Sequence, residues 1–98
     1  MTVKINPKTI LKIGRVVKFH RKQSGLSRIY LADIAGVGKT VVYDIENGKQ
    51  TVRLNNLFKI LEALNISLFL DSPLMDQYKA GDDAEGNQWG RGNQWGRL

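Results

Sequence analysis

The sequence contains no cysteine and a single histidine, His20, among its 98 residues. Without cysteine the chain can form neither a disulfide framework nor a thiolate metal site, and one imidazole cannot complete a zinc site. We therefore expect no metal and no other cofactor. The absence of cysteine also fits a reducing compartment, so we expect a cytoplasmic protein.

Long apolar runs are missing as well. No stretch approaches the roughly 18 consecutive apolar residues that a helix needs to cross a bilayer. Residues 1–14, MTVKINPKTILKIG, contain neither a long uninterrupted apolar core nor the small-residue cleavage site of a secretory signal. We expect a soluble protein without a membrane partner.

Residues 36–40, GVGKT, resemble the end of a phosphate-binding nucleotide loop. Such a loop needs a glycine five residues before its Gly-Lys pair, and that position is Asp33. The preceding residues, RIYLADIA, predict a helix rather than the strand that should precede the loop, and a chain of this length has little room for an α/β sheet. We therefore expect no enzyme and no catalytic residue, and we interpret GVGKT as a turn between two helices.

The positive charge is concentrated in the first part of the chain. Residues 1–70 carry twelve basic and four acidic side chains, a net charge of +8, whereas residues 71–98 carry a net charge of −2. A basic body favours a polyanionic partner, and nucleic acid before membrane. The lysines of the first helix are the exception, because we interpret most of them as solubilising charges.

Apolar residues recur at helical spacing in four segments. The first helix begins at the cap Asn6 and closes near Gly25, the second runs from the cap Ser27 to Gly36, and the third ends at Asn47-Gly48. The predicted inward side chains of the four helices are, in chain order, Ile10, Ile13 and Val17; Leu31, Ala32 and Ala35; Val42 and Ile45; and Leu54, Leu57, Phe58, Leu61 and Leu64.

The composition changes after the fourth helix. The β-branched and aromatic residues of 66–70 predict a short strand. From about Ser72 the sequence becomes acidic and glycine-rich. We therefore divide the chain into a domain of residues 1–75 and a flexible tail of residues 76–98. The tail contains a tandem hexapeptide, GNQWGR, at 86–91 and 92–97, which is either a neutral duplication or a means of presenting Trp89 and Trp95.

Residues 26–49, LSRIYLADIAGVGKTVVYDIENGK, resemble the helix-turn-helix segment of the Xre/Cro/phage-repressor family. The resemblance implies an all-α domain of four to five helices with one short C-terminal dimerisation strand and a disordered tail. The chain departs from the family pattern at Arg28, because the second helix of the family commonly begins with glutamine. The shared residues are Leu31, Ala32, Gly36, Val37, Val42, Ile45 and the Glu46-Asn47-Gly48 ending.

In such proteins the third helix lies in the major groove of DNA. The resemblance therefore implies base contacts by Lys39, Thr40, Tyr43 and Asp44. Lysine can donate to guanine and aspartate can accept from cytosine N4. Tyr43 has two open interpretations, since it packs either on the DNA backbone or on a neighbouring side chain.

The resemblance also implies phosphate contacts and one structural ion pair. Arg21 and Glu46 occupy positions that form a partly buried pair between the first and third helices in phage repressors. The expected phosphate contacts lie at the start of the second helix and after the third, and they are Ser27, Arg28, Asn47, Lys49 and Arg53.

Proteins of this type read two half-sites about one DNA turn apart and therefore act as two-fold dimers. An exposed apolar strand needs a partner, so we expect the strand to pair with its copy in a second subunit. The alternative is that it folds back on its own domain. The expected dimerisation residues are Ile66, Leu68, Phe69 and Leu70.

The body, the segment FKILEALNISLFLD and a tail with tryptophan together resemble the HipB-type antitoxins. That resemblance implies an autorepressor that binds operator DNA of its own operon and a HipA-type serine/threonine kinase toxin. Trp89 and Trp95 are then the expected toxin contacts. The alternative is a stand-alone phage-type or restriction-control regulator without a toxin partner.

Overall fold

The computed structural model describes residues 1–85, with side chains up to residue 81. The chain divides into two compact units, Met1–Leu68 and Phe69–Leu98. Within the described residues all regular structure is helical, which confirms the predicted all-α class. A 3₁₀ turn, Pro7–Thr9, precedes five α-helices: α1 (Leu11–Gln23), α2 (Arg28–Ala35), α3 (Val41–Glu46), α4 (Leu54–Ala63) and α5 (Met75–Glu85).

The first helical segment starts where the sequence predicts. The Asn6 side chain accepts a hydrogen bond from the Lys8 backbone N–H at 2.9 Å, and the Thr9 hydroxyl accepts one from the Asn6 N–H at 2.9 Å. These two bonds satisfy donors that have no helical partner, as a capping box does. Proline follows the cap at the first helical position, where its missing N–H costs nothing.

Both ends of α2 are set by local chemistry. The Ser27 hydroxyl accepts from the Tyr30 N–H at 3.0 Å, which caps the start of the helix. Gly36 has φ = 75°, a left-handed conformation that glycine adopts without strain, and its N–H donates to the Ala32 carbonyl at 2.9 Å. The predicted bounds of the second helix are therefore confirmed.

The core of the first unit lies between α1, α2, α3 and α4. Its buried members are Val17, Leu31, Ala32, Val42, Ile45, Ile60, Leu61 and Leu64. Ile13, Ala35 and Leu57 pack against them and are partly buried.

The predicted apolar face of α4 is wrong at two positions. Leu54 and Phe58 are exposed, whereas Ile60, which the sequence did not predict as inward, is fully buried. The buried stripe runs through 57, 60, 61 and 64, and Phe58 lies roughly 100° around the helix from Leu57. Leu54 is the first residue of the helix, beyond the end of that stripe.

α1 and α3 approach each other closely at Gly14, which is buried. A Cβ atom at Gly14 would overlap the carbonyl oxygen of Ile45 and lie 2.9 Å from that of Glu46. Only a residue without a side chain fits there, so the backbone of α3 rests directly on α1.

Residues 66–70 have no regular secondary structure in the single chain. Within the described residues, 67–70 take part in no backbone hydrogen bond. A strand needs a neighbouring strand, so pairing across a dimer stays a prediction.

A helix that the sequence did not predict lies in the second unit, at the start of the segment assigned to the tail. Met75–Glu85 forms α5, with the Ser72 hydroxyl accepting from the Leu74 N–H at 3.3 Å just before it. Good helix formers such as Met, Gln, Lys and Ala occupy its first turns, and Asp76 complements the positive end of the helix. The acidic composition that predicted disorder is therefore compatible with a helix. The GNQWGR repeat lies outside the described residues.

Candidate nucleic-acid interface

α2, the turn at 36–40 and α3 form a helix-turn-helix. One face of α3 buries Val42, Ile45 and Glu46 against the body. The turn before α3 and the outer surface of the helix leave Lys39, Thr40 and Tyr43 exposed, with Tyr43 at 54% of its full accessibility. A short helix with one face in the core and the other in solvent has the form of a groove-reading helix.

The four predicted base-reading residues differ in their surroundings. Lys39 and Thr40 precede α3 and are exposed. Asp44 is half-buried, and its carboxylate lies 3.6 Å from the ammonium nitrogen of Lys49. A nearby cation reduces the cost of holding this carboxylate close to DNA phosphates. The two residues, predicted separately as a base reader and a phosphate contact, thus lie side by side.

Arg21 and Glu46 form an ion pair between α1 and the end of α3. The Arg21 Nε donates to Glu46 Oε2 at 2.6 Å and its Nη2 donates to Oε1 at 3.2 Å. The Arg21 Nη1 also donates to the Leu26 carbonyl at 2.8 Å. Both residues are buried, and a buried carboxylate and guanidinium are tolerated when each is paired and hydrogen-bonded.

The charge of Glu46 is maintained by its two arginine neighbours. Burial alone would raise the pKa of Glu46, but the hydrogen bonds and charges of Arg21 and Arg28 outweigh that effect and hold the pKa below its ordinary value of 4.5. Glu46 is therefore ionised at neutral pH, as its role between two guanidinium groups requires.

Arg28, the residue that departs from the family pattern, belongs to the same cluster. Its Nε donates to Glu46 Oε1 at 3.1 Å, and its guanidinium carbon lies 5.5 Å from the centre of the Tyr43 ring. Sequence reasoning placed Arg28 at a phosphate and left the surroundings of Tyr43 open. No sequence signal links positions 28, 43 and 46, because their contact depends on how α2 crosses α3.

The remaining predicted phosphate contacts flank the motif. Ser27 is exposed at the start of α2, while Asn47, Lys49 and Arg53 are exposed after α3. The Asn47 side-chain amide donates to the Tyr43 carbonyl at 2.7 Å, so it also closes the end of α3. These residues thus lie at the start of α2 and in the segment after α3.

The predicted dimerisation residues are mostly exposed in the single chain. Leu68, Phe69 and Leu70 keep 51%, 75% and 83% of their full accessibility. Ile66 is partly buried against the core of its own unit. Trp89 and Trp95 lie outside the described residues.

In residues 1–85, no helix has the length and apolar character of a bilayer-spanning segment. No group of three or more His, Asp or Glu side chains in the described part of the chain is arranged to hold a metal ion. The His20 ring Nδ1 lies 2.8 Å from the Val16 carbonyl in its own helix.

Comparison with known proteins agrees with this geometry. A family model described as "Helix-turn-helix" matches residues 17–70. The "Uncharacterized HTH-type transcriptional regulator y4mF" of Sinorhizobium fredii (strain NBRC 101917 / NGR234) is 35% identical over 66 residues, which cover 67% of this chain and 87% of the relative.

The chain is also similar to two solved structures, described as "Structure of HipA-HipB-O2-O3 complex" and "HipB-O4 20mer complex". Each is 26% identical to this chain and superposes on it with a TM-score of 0.63. The matched region covers 74% of this chain and 99% of the HipB chain. The chain therefore belongs to the Xre-type helix-turn-helix family of DNA-binding transcriptional regulators and is HipB-like within it.

Proposed function

We propose that the protein is a dimeric transcriptional autorepressor and the antitoxin of a type II toxin-antitoxin system, with a HipA-type serine/threonine kinase as its toxin. The observation that carries the proposal is the likeness to HipB over 74% of the chain. One of the two similar structures is described as a HipA-HipB-O2-O3 complex, and the other is described as a HipB-O4 20mer complex. A repressor that acts on its own operon works in the cytoplasm.

In this proposal α3 enters the major groove of operator DNA. Lys39 donates to guanine, Thr40 places its hydroxyl or methyl group against a base, and Asp44 accepts from cytosine N4. Support comes from the exposure of the turn before α3 and from the burial of the opposite face of the helix. The exposed residues Ser27, Lys49 and Arg53 bind phosphates on either side, and these contacts set the position of the helix.

Two subunits bind together, with residues 66–70 pairing across the two-fold axis. The large exposed apolar side chains of Leu68, Phe69 and Leu70 support this assignment, because an isolated chain gains nothing from exposing three such residues in a row. The dimer then presents two α3 helices to two half-sites.

The DNA-binding half of the proposal is tested by footprinting the purified protein on the DNA upstream of its own gene. Protection of two half-sites about one helical turn apart is the expected result. A matched control is the Lys39→Ala variant, which keeps the fold but loses one base contact. Absence of any protected site in upstream DNA would contradict the proposal.

The toxin half is tested separately by co-purifying the products of the native operon. A kinase that elutes with this chain, and separates from it when Trp89 and Trp95 are changed to alanine, supports the antitoxin role. An operon without a kinase leaves the alternative. A kinase that binds equally well to the variant would keep the antitoxin role and overturn the assignment of Trp89 and Trp95 as its contacts.

That alternative is a stand-alone transcriptional regulator of the phage or restriction-control type. It is favoured by the relative from Sinorhizobium fredii, whose description names a transcriptional regulator and no toxin. Both functions require the same operator contacts, so only the partner experiment separates them.

A further inference from the structure

The first residue of α2 and two residues of α3 form a cluster that the base-reading assignment does not explain. Tyr43 and Glu46 are three residues apart and therefore lie on one side of α3. Arg28 lies against both of them, with its Nε 3.1 Å from Glu46 Oε1 and its guanidinium carbon 5.5 Å from the Tyr43 ring centre. The Glu46 side chain is 1% exposed, while that of Arg28 keeps 41% of its accessibility.

The contacts leave one part of the Arg28 guanidinium available. Its Nε is bonded to Glu46, and within the described residues the group makes no other hydrogen bond. Arginine binds an oxyanion through two nitrogens at once, either side-on through Nε and one Nη or end-on through both Nη atoms. Because Nε is already occupied, Arg28 can bind an anion in two-point fashion only end-on.

The charge of the cluster favours an anion. A single carboxylate beside Arg28 would cancel its charge, but Glu46 is already paired with Arg21 at 2.6 Å. Two guanidinium groups share one carboxylate, so Arg21, Arg28 and Glu46 together carry a net charge of +1. Its exposed part is the Arg28 end.

We propose that Tyr43 and Glu46 are positioning residues that hold Arg28 for end-on binding of one DNA phosphate. The proposal rests on the DNA-binding function above and assigns Tyr43 a supporting role in place of base reading. Because both supporting residues belong to α3, the phosphate contact of α2 is fixed relative to the reading helix before DNA arrives. A preformed contact avoids the entropy loss of ordering a long side chain on binding.

The test is a double-mutant cycle on Arg28 and Tyr43, read out as dissociation constants for the operator and for an unrelated duplex across a salt series. Arg28→Gln removes one phosphate contact and lowers affinity for both duplexes about eightfold at 0.1 M salt, with a salt slope smaller by about 0.9. Tyr43→Leu lowers the affinity for both duplexes by the same factor, a few-fold. Tyr43→Phe keeps the aromatic ring and binds both duplexes like the wild type. In the double variant, Tyr43→Leu adds no further loss to Arg28→Gln.

Matched controls separate this role from general effects. Lys59→Gln removes an exposed cation from α4 and is expected to leave binding to both duplexes nearly unchanged. Tyr43 is 54% exposed, so Tyr43→Leu should keep the thermal unfolding midpoint of the wild type, which rules out unfolding as the cause of its loss.

Independent losses from the two substitutions would overturn the positioning role. A change in operator preference with Tyr43→Phe would also overturn it, by showing that the hydroxyl reads a base. In both cases the wild type still binds DNA, so the DNA-binding function stands. A wild-type protein that binds no duplex would overturn that function together with this inference.

Discussion

At the scale of single residues, Glu46 shows how burial makes a charge essential. It accepts hydrogen bonds from two arginines on two different helices, 25 and 18 residues before it in the sequence. Its negative charge therefore joins α1, α2 and α3 at one point. Loss of that charge leaves Arg21 buried and unpaired, which is costly.

The pH dependence of folding follows from Glu46. Its pKa is held below the ordinary value of 4.5, so the unfolded chain binds the proton before the folded one does. The stabilisation is fully present above pH 4.5 and is lost as the pH falls through the lower pKa of the folded state. Urea unfolding at pH values from 7 down to 3 should show a free energy of unfolding that decreases below pH 4.5.

The Glu46→Gln variant is the control for that titration. It should lose about 3 kcal/mol of stability at pH 7, because removal of one partner leaves Arg21 without its counter-charge. Its stability should also depend less on pH below 4.5 than that of the wild type. Parallel pH curves for the two proteins would show that another group causes the acid sensitivity.

Lys39 provides a test of base reading at the residue scale. It is exposed just before α3, so Lys39→Ala should keep the fold and weaken operator binding by about 1 to 3 kcal/mol. Competition binding between operator and mismatched duplexes measures the effect. Unchanged discrimination between the two duplexes would remove Lys39 from the reading set.

At the scale of elements, the contact between α1 and α3 depends on Gly14. A methyl group there would overlap the Ile45 carbonyl, and backbone atoms cannot rotate away as a side chain can. We expect Gly14→Ala to lower the free energy of unfolding by about 1 to 3 kcal/mol, the usual cost of overpacking. Thermal or urea unfolding measures the change.

Gly38 is the matched control for this prediction. A Cβ atom there would have Val41 Cγ2, at 3.8 Å, as its nearest neighbour, which is an ordinary contact distance. Gly38→Ala should therefore change stability little. A loss at Gly14 as small as that at Gly38 would mean that the contact between α1 and α3 yields more easily than its geometry indicates.

The same elements show what the sequence can and cannot predict. Asn6, Ser27 and Gly36 interact with backbone groups of neighbouring residues. The helix bounds that they set can therefore be predicted from the local sequence. The burial of Ile60 and the cluster around Arg28 depend on which helix faces meet, and single-sequence patterns do not contain that information. α5 was missed because its acidic composition outweighed the helix propensity of its first residues.

At the scale of the whole molecule, the proposed dimer depends on the residues after α4. We expect the wild type to sediment as a dimer and Phe69→Asp to sediment as a monomer, because a carboxylate in an apolar joint is costly to bury. Analytical ultracentrifugation gives both masses. Ile34→Asp is the control, since it places the same charge at another exposed apolar position outside the proposed dimer interface.

The direct seating of α3 on α1 has a consequence for how such a regulator can change its target. No side chain separates the two backbones at Gly14, so the tilt of the outer face is independent of rotamer choice in the layer beneath it. Substitutions on that outer face can then alter which promoter is recognised while the scaffold stays as it is. In the proposed function the base contacts come from exposed positions at and just before this helix, whereas its buried residues Val42 and Ile45 belong to the core.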